Sequence, residues 1–202
     1  TLRQRMNLSA VAGKASTWAK GPTPETHSAW KTALTIAEKL DDKEIRLQAH
    51  YGLWLYYLRT GELDKALEHA QSMCELARSI TDEEAMATGL RILGVSLHFL
   101  GRHDVGRDYL QQSLDWYEHG ELSHSFRFGL DQESAGQAFL SRLLWLQGEY
   151  KAAKQMAWRG VKKAARLQHV CSLCCALAEG ACMTAALDRN PRWVIKAANW
   201  LI

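Results

Sequence analysis

Apolar positions along this chain recur with helical spacing over most of its length. Leu47, Leu53, Trp54 and Tyr57 share one helical face, and residues 63–77 repeat the pattern. Three further helical stretches cover residues 132–147, 150–167 and 170–187. We expect two shorter helices at the termini. The pattern predicts a chain built of helices with no sheet.

Turn residues interrupt these stretches at near-even spacing. The five turn sites are Gly21, Gly61, Gly101, Gly148 and Asn190, which lie 40, 40, 47 and 42 residues apart. Glycine ends a helix in the left-handed conformation, and asparagine tolerates the same backbone. A fixed period of this kind is typical of a repeat array. The sequence therefore predicts an all-α, right-handed α-solenoid of helix-turn-helix (tetratricopeptide-like) repeats of about 40 residues.

Helix starts and one repeat position carry further expectations. Thr23 before Pro24 is typical of an N-cap with proline at the first helical position. Thr81, followed three residues later by Glu84, matches a capping box. Gly13 stands where the repeat pattern expects leucine, which indicates a degenerate first repeat.

One connection, residues 118–130, is longer than the others and accounts for the 47-residue interval. Long ordered loops are often functional. A packed insertion closed by Phe126 and Phe128 is the alternative, and the sequence does not favour the functional loop over it.

Length and composition define the setting. The chain has 202 residues, of which 47% are hydrophobic, and a net charge of +3, well below the basic character usual for nucleic-acid-binding domains. Five cysteines without disulfide spacing favour a reducing, cytoplasmic location. No run approaches the ~18 apolar residues of a membrane span, so no membrane contact is expected. Both ends look cut, and we expect residues 1–202 to form a single repeat domain within a longer regulator.

Catalytic motifs are missing from the sequence. It contains no Gly-x-x-x-x-Gly-Lys-Ser/Thr, no Gly-x-Ser-x-Gly and no His-Glu-x-x-His. We therefore expect a non-enzymatic chain that needs no cofactor and no metal.

Two sets of residues were considered as metal ligands. Cys171, Cys174, Cys175 and Cys182 contain a Cys-x-x-Cys spacing, but they fall on a helix, where they are better explained as small buried hydrophobes. The histidine pairs His98 with His103 and His119 with His124 lack the spacing of a helical metal site. Structural roles are the favoured interpretation of both sets.

A basic helical face carries Arg159, Lys162, Lys163 and Arg166, with Lys151 and Lys154 upstream. Such a face could dock on nucleic acid or on an acidic partner. A solvated outer face is the favoured interpretation.

The first helix of each repeat lines the concave side of such an array. Counting back from each turn site predicts the residues of a groove, and the candidates are Tyr51, Arg59, Arg91, His98, Arg142 and Trp145. Arginines mixed with aromatic rings suit a peptide, a protein segment or a small anionic ligand. The alternative is that these side chains pack between repeats. For Arg91 and Arg142 the two interpretations are equal, and for the other four residues packing is favoured.

Several stretches carry a more specific resemblance. They are residues 54–63 (WLYYLRTGEL), 94–101 (GVSLHFLG), 127–132 (RFGLDQ), 143–148 (LLWLQG) and 172–178 (SLCCALA). In order and spacing they resemble the C-terminal helical-repeat region of bacterial predicted ATPases of the STAND type, in particular winged-helix transcriptional regulators. The resemblance implies a sensor array with an NTPase domain upstream in the same chain. The chain departs from the pattern at Ile195, where alanine is usual.

Three hypotheses of function follow. The first is a non-enzymatic ligand- or protein-binding sensor domain of a signal-transducing ATPase and transcriptional regulator, with no direct contact to nucleic acid. The second is a general protein-protein interaction scaffold. The third, from a different class, is a metal- or thiol-dependent enzyme that uses the cysteines between Cys171 and Cys182.

Overall fold

Helices follow one another along the chain and are joined by short turns. The computed structural model describes residues 1–119 and 125–200, and no strand occurs within those ranges. The first five helices are α1 (Leu2–Ala19), α2 (Pro24–Lys39), α3 (Lys43–Thr60), α4 (Leu63–Ser79) and α5 (Glu83–Phe99). The next are α6 (His103–His119), α7 (Gln132–Leu146), α8 (Tyr150–Arg166) and α9 (Val170–Cys175). A π-helical segment (Ala176–Cys182), α10 (Met183–Leu187) and α11 (Pro191–Ala198) complete the order.

The helices form two compact units, Thr1–Leu100 and a second unit that begins at Gly101. In the first unit each helix from α1 to α5 packs against the next along the chain. In the second unit α6 packs against α7, α7 against α8, and the π-helical segment against α7, α8 and α11. Packing between sequence neighbours is the hallmark of helical-repeat proteins. The predicted all-α, tetratricopeptide-like fold is thus confirmed.

Two kinds of turn occur in the chain, and from Gly21 to Gly101 they alternate. Gly21, Gly61, Gly101 and Gly148 have φ between +78° and +85°, which confirms their predicted role as left-handed helix ends. The other turns use non-glycine residues in the left-handed region. They are Asp41, Thr81, Gln168 and Arg189, with φ of +51° to +54°. The residue after each of these four caps the next helix.

These backbone conformations correct two predictions. Thr81 does not cap α5: it is the left-handed residue, and the Asp82 carboxylate accepts the hydrogen bond from the Ala85 amide instead. Asn190 is not left-handed, since its φ is −104° and its side chain accepts from the Trp193 amide as the cap of α11. The left-handed residue there is Arg189.

Other expectations about helix ends have mixed outcomes. Thr23 caps α2 with Pro24 at the first turn, as predicted. The prediction of a short helix at the N-terminus is wrong, because α1 has 18 residues. Ile195 does not fill the close-packed position of the repeat, as it is 60% exposed, whereas Ala197 is buried.

Trp30 joins the first three helices and explains the two glycines around it. A side chain on Gly13 would place its Cβ 2.7 Å from Trp30 Cδ2, and one on Gly52 would lie 2.2 Å from Cε2. The indole Nε1 donates to Thr17 Oγ1 at 2.9 Å. Gly13 therefore does not mark degeneracy: it makes room for a 4%-exposed tryptophan.

The connection before α7 contributes one buried ring and one exposed ring. Residues 120–124, including His124, lie outside the described residues, as does the His119 side chain. Phe128 is buried, in agreement with a packed insertion, and Arg127 lies over its ring at 5.1 Å. Phe126 is instead 37% exposed and stacks on His169 with ring centroids 4.0 Å apart.

One helical stretch corrects the expectation about membrane spans. Residues 170–187 are long and apolar enough to cross a bilayer by length and composition alone, with a mean hydropathy of 1.7. In this fold Leu177 and Ala181 pack with Val161 and Ala164 of α8 and with Ala197 of α11. The stretch thus behaves as a packing helix of the second unit.

Candidate functional site

The predicted groove residues of the first unit are largely buried. Arg91 is only 1% exposed, and its guanidinium lies 5.3 Å from the ring centre of Trp54 and 5.9 Å from that of Tyr51. Arg91 Nη2 also lies 3.4 Å from the Tyr51 hydroxyl, a long hydrogen bond. Trp54 Nε1 donates to Ser96 Oγ at 3.0 Å. The structure therefore brings Tyr51 and Arg91 together as part of the contact between α3 and α5.

Arg59 and His98 occupy different environments in the same unit. Arg59 lies in the last turn of α3 and is exposed. His98 is buried and its ring lies 5.1 Å from that of Phe99, which is 39% exposed.

Arg142 forms the most distinctive polar contact of the second unit. Its Nη1 donates to Glu179 Oε2 at 2.7 Å, from α7 to the π-helical segment. The arginine side chain is 12% exposed and the glutamate side chain 41%. Burial lowers the pKa of Arg142 and Glu179 opposes that shift, but a guanidinium stays charged at neutral pH. Arg142 also lies over the Phe139 ring at 5.5 Å.

The π-helical segment supplies the partner of Arg142. Wide helical turns of this kind are rare and are found frequently at functional sites. Gly180 allows close packing there, because a Cβ on it would lie 3.2 Å from Ala138 Cα. No pattern in the sequence indicates this local geometry, so Glu179 is not among the predicted site residues.

Trp145 is three residues from Arg142, so both side chains lie on one face of α7. The tryptophan is half-buried and its ring centre lies 5.3 Å from that of Tyr150. Its indole Nε1 is buried and has no hydrogen-bond partner within residues 1–119 and 125–200. A buried donor without an acceptor is costly and calls for an explanation, such as a bound ligand or water. Arg142 and Trp145 thus combine a shielded cation with an unused donor.

A chain of histidines and tyrosines in the first unit was missed by sequence reasoning. His27 Nε2 and the Tyr57 hydroxyl are 2.8 Å apart, and Tyr57 stacks on His69 with ring centroids 5.5 Å apart. The Nδ1 atoms of His69 and His50 are 3.0 Å apart. Burial lowers the pKa of both His50 and His69 to about 4. The available signal was the placement of His50 and His69 on either side of the Gly61 turn.

Since only one proton fits between two nitrogen atoms at that distance, one neutral ring donates and the other accepts. Among the described residues, no group of three or more histidine, cysteine, aspartate or glutamate side chains could hold a metal ion. The histidine chain is therefore a hydrogen-bonded packing feature of α2, α3 and α4.

The cysteines of the second unit are less buried than expected. Cys171 and Cys174 are exposed, Cys175 and Cys182 are half-buried, and none forms a disulfide. Cys182 packs against the apolar cluster of α8 and α11, and burial raises the pKa of its thiol. The expectation of a fully buried stripe is therefore wrong for Cys171 and Cys174.

A cleft of about 1120 Å³ lies between α8 and α11 in the second unit. Its lining includes three tryptophans, Trp158, Trp193 and Trp200. The basic side chains that line it are Lys154, Arg159, Lys162, Lys163, Arg166 and Lys196. Most of these belong to the basic face that the sequence indicated, and that face therefore borders a concavity rather than a flat solvated surface.

Comparisons with known proteins bear on the fold. No protein-family model matches the sequence. No curated protein matches it either. Solved structures do match: the apo form of RapI superposes with a TM-score of 0.77 at 14% identity, covering 98% of this chain and 69% of that one. BtubC (BKLC) from P. vanneervenii gives 0.62 at 14% identity, over 100% and 89% of the two chains.

A third likeness is to a putative kinesin light chain from Podosopora anserina with nearly identical TPR-like repeats. Its TM-score is 0.60 at 14% identity, and the match covers 99% of this chain and 92% of that one. At such identities the likeness concerns the backbone arrangement alone. The chain has a tetratricopeptide-like helical-repeat fold.

Proposed function

We propose that this chain is a non-enzymatic helical-repeat domain that binds a protein segment or peptide through the groove lined by the first helix of each repeat. The observation that carries the proposal is the pair of Arg142 and Trp145 on one face of α7. The guanidinium is shielded from water yet ion-paired to a side chain that is 41% exposed, and the Trp145 indole on the same helix face has no acceptor among the described residues. Both groups suit a ligand carboxylate.

The binding step that we propose is an exchange of carboxylates. A ligand carboxylate replaces Glu179 as the acceptor of the Arg142 hydrogen bond, and a second ligand oxygen accepts from Trp145 Nε1. Glu179 is half-exposed, so it returns to water at low cost when displaced. The arginine loses little, because it keeps a charged partner throughout.

The other predicted groove residues contribute differently. Arg59 is exposed and available for a ligand, whereas Arg91 is enclosed by Tyr51 and Trp54 and stabilises the packing of α3 on α5. That Arg91 and His98 converge with Arg142 and Trp145 on one concave face remains a prediction. A small anionic ligand is the alternative occupant with the same chemistry.

Selection from a random peptide library on the immobilised chain tests the proposal. We expect enrichment of peptides that carry a carboxylate, and at least tenfold weaker binding of those peptides to the Arg142→Ala variant. Arg107→Ala is the matched control, since Arg107 also pairs with a glutamate, Glu149, at 2.5 Å. No enrichment, or equal binding to Arg142→Ala and the unchanged chain, contradicts the proposal.

The resemblance to STAND-type ATPases supports a narrower proposal. In it the domain is a cytoplasmic sensor, and occupation of the groove shifts an upstream NTPase domain of the same chain between its off and on states. The energy comes from different ligand affinities in the two states. The test is to place Arg142→Ala in the full-length regulator. Loss of signal output with unchanged folding supports the sensor, whereas a normal response leaves only the interaction scaffold.

A further inference from the structure

The cleft between α8 and α11 is lined by residues other than those of the groove formed by the first helix of each repeat. None of Arg142, Trp145 and Glu179 lines it. Among the described residues that line the cleft, six carry a cationic side chain and one, Glu133, carries a carboxylate. Its floor is aromatic: Trp193 and Trp200 are 42% and 53% exposed, and Trp158 is half-buried between them and the core.

Part of the positive charge is already balanced within the second unit. Lys163 pairs with Glu133, Lys154 with Asp188 at 2.7 Å and Arg159 with Glu118 at 2.5 Å. The remaining cations are Lys162, Arg166 and Lys196, which form no ion pair with the residues that the structure describes. These three border the tryptophans and leave a net positive rim.

The tryptophan rings form a corner rather than a stack. Trp158 and Trp193 are 5.4 Å apart and inclined by 60°, while Trp158 and Trp200 are 6.3 Å apart and inclined by 82°. Lys196 lies over the rings of Trp193 and Trp158, at 4.8 Å and 5.9 Å from their centres. The lysine covers these two ring faces against a nucleobase, whereas the corner between Trp158 and Trp200 is left to fit one apolar side chain.

We infer that this cleft binds an acidic protein segment that places one large apolar side chain among Trp158, Trp193 and Trp200. The segment's carboxylates pair with Lys162 and Arg166 on α8. Charge opposite to the rim brings the segment in, and burial of the apolar side chain holds it. This site is separate from the groove of Arg142, and each can fail without the other.

The dimensions of α8 set the probe. A helix of 17 residues is roughly 26 Å long, which an extended peptide of about eight residues spans. The probe is a fluorescein-labelled peptide of that length, made of aspartate and glutamate with one central leucine. Its affinity is measured by fluorescence anisotropy at several salt concentrations.

Two variants test the two halves of the site. Lys162→Ala with Arg166→Ala removes two of the three unpaired charges, and Trp193→Ala removes one of the aromatic walls. We expect each variant to bind the peptide at least tenfold more weakly than the unchanged chain does. The matched control is Lys151→Ala with Arg192→Ala, which removes the same charge from α8 and α11 outside the cleft. The peptide with serine in place of leucine should bind the unchanged chain as weakly as the leucine peptide binds the Trp193→Ala variant.

Four results would overturn the inference. An equal loss of peptide affinity in the variant with Lys162→Ala and Arg166→Ala and in its control indicates attraction by overall charge and no specific site. Equal affinity of the leucine and serine peptides removes the apolar anchor. Tighter binding of a labelled oligothymidine, lost in the same variants, makes the cleft a nucleic-acid site. Self-association that Trp193→Ala abolishes, seen by sedimentation, makes it an interface between copies of the chain.

Discussion

At the scale of single residues, glycines have two different structural roles in this chain. Gly61 and Gly101 have φ of +81° and +78°, and a Cβ on either would meet nothing within 4 Å. Gly52 is helical, and a Cβ on it would collide with the Trp30 ring. Only the first kind can be recognised in the sequence by its spacing, because the second depends on which helix packs where.

Replacement by alanine separates the two roles. We expect Gly61→Ala to lower the free energy of unfolding by about 1–2 kcal/mol, the cost of a left-handed non-glycine residue. Gly52→Ala should cost about 3 kcal/mol or more, because the Trp30 ring cannot move away without breaking its bond to Thr17. Urea denaturation followed by circular dichroism measures both. A Gly61→Ala variant as stable as the unchanged chain would mean that the turn is not left-handed in solution.

His50 and His69 give the first unit a pH dependence. Burial lowers their pKa to about 4, so between pH 6.5 and 4 the unfolded chain binds more protons than the folded one. The stability they contribute is complete above pH 6.5 and is lost as the pH falls towards 4. For His50 the loss approaches about 1.4 kcal/mol per pH unit, the limit for one group that takes up one proton on unfolding.

Denaturant unfolding between pH 7 and pH 5 tests this, a window in which most carboxylates stay ionised. The His69→Phe variant keeps a ring against Tyr57 but removes one proton-binding site, so its unfolding free energy should fall less steeply. Identical slopes for the variant and the unchanged chain would contradict the burial of the pair.

At the scale of elements, helix starts are set by caps that follow left-handed residues. The carboxylates of Asp42 and Asp82 accept from the amides of Ile45 and Ala85 at 3.1 Å and 2.9 Å. Sequence reasoning found the glycine turns but assigned the cap of α5 to Thr81. The miss has a physical reason: a threonine with φ of +54° is uncommon, and the surrounding helix packing imposes it.

The corrected register predicts different effects for two neighbouring residues. Asp82→Ala should lower the free energy of unfolding by about 1 kcal/mol, the usual value of an N-cap. Thr81→Ala should have a much smaller effect, because its hydroxyl bonds only to the adjacent Ile80 carbonyl. Thermal and urea unfolding of the two variants check this. A larger loss of stability in Thr81→Ala than in Asp82→Ala would instead support Thr81 as the cap of α5.

At the scale of the whole molecule, the repeat fold was predictable and the site was so only in part. Turn spacing and helical periodicity sufficed for the fold, since both are local. Arg142 and Trp145 followed from counting back along α7. Glu179 did not, because a π-helical segment 37 residues later places it. The cleft between α8 and α11 depends on the tertiary packing of Trp158 against Trp193 and Trp200, which lie 35 and 42 residues later in the sequence.

The central claim is that Arg142 holds a ligand carboxylate in place of Glu179. The measurement that tests it most directly is the dissociation constant of a library-selected peptide for the unchanged chain, for Glu179→Gln and for the control Glu149→Gln. Removing the internal competitor should tighten binding several-fold, corresponding to about 0.5–1 kcal/mol for a half-exposed ion pair. The Glu149→Gln control should leave the affinity unchanged. Unaltered or weaker binding to a fully folded Glu179→Gln variant would contradict the exchange.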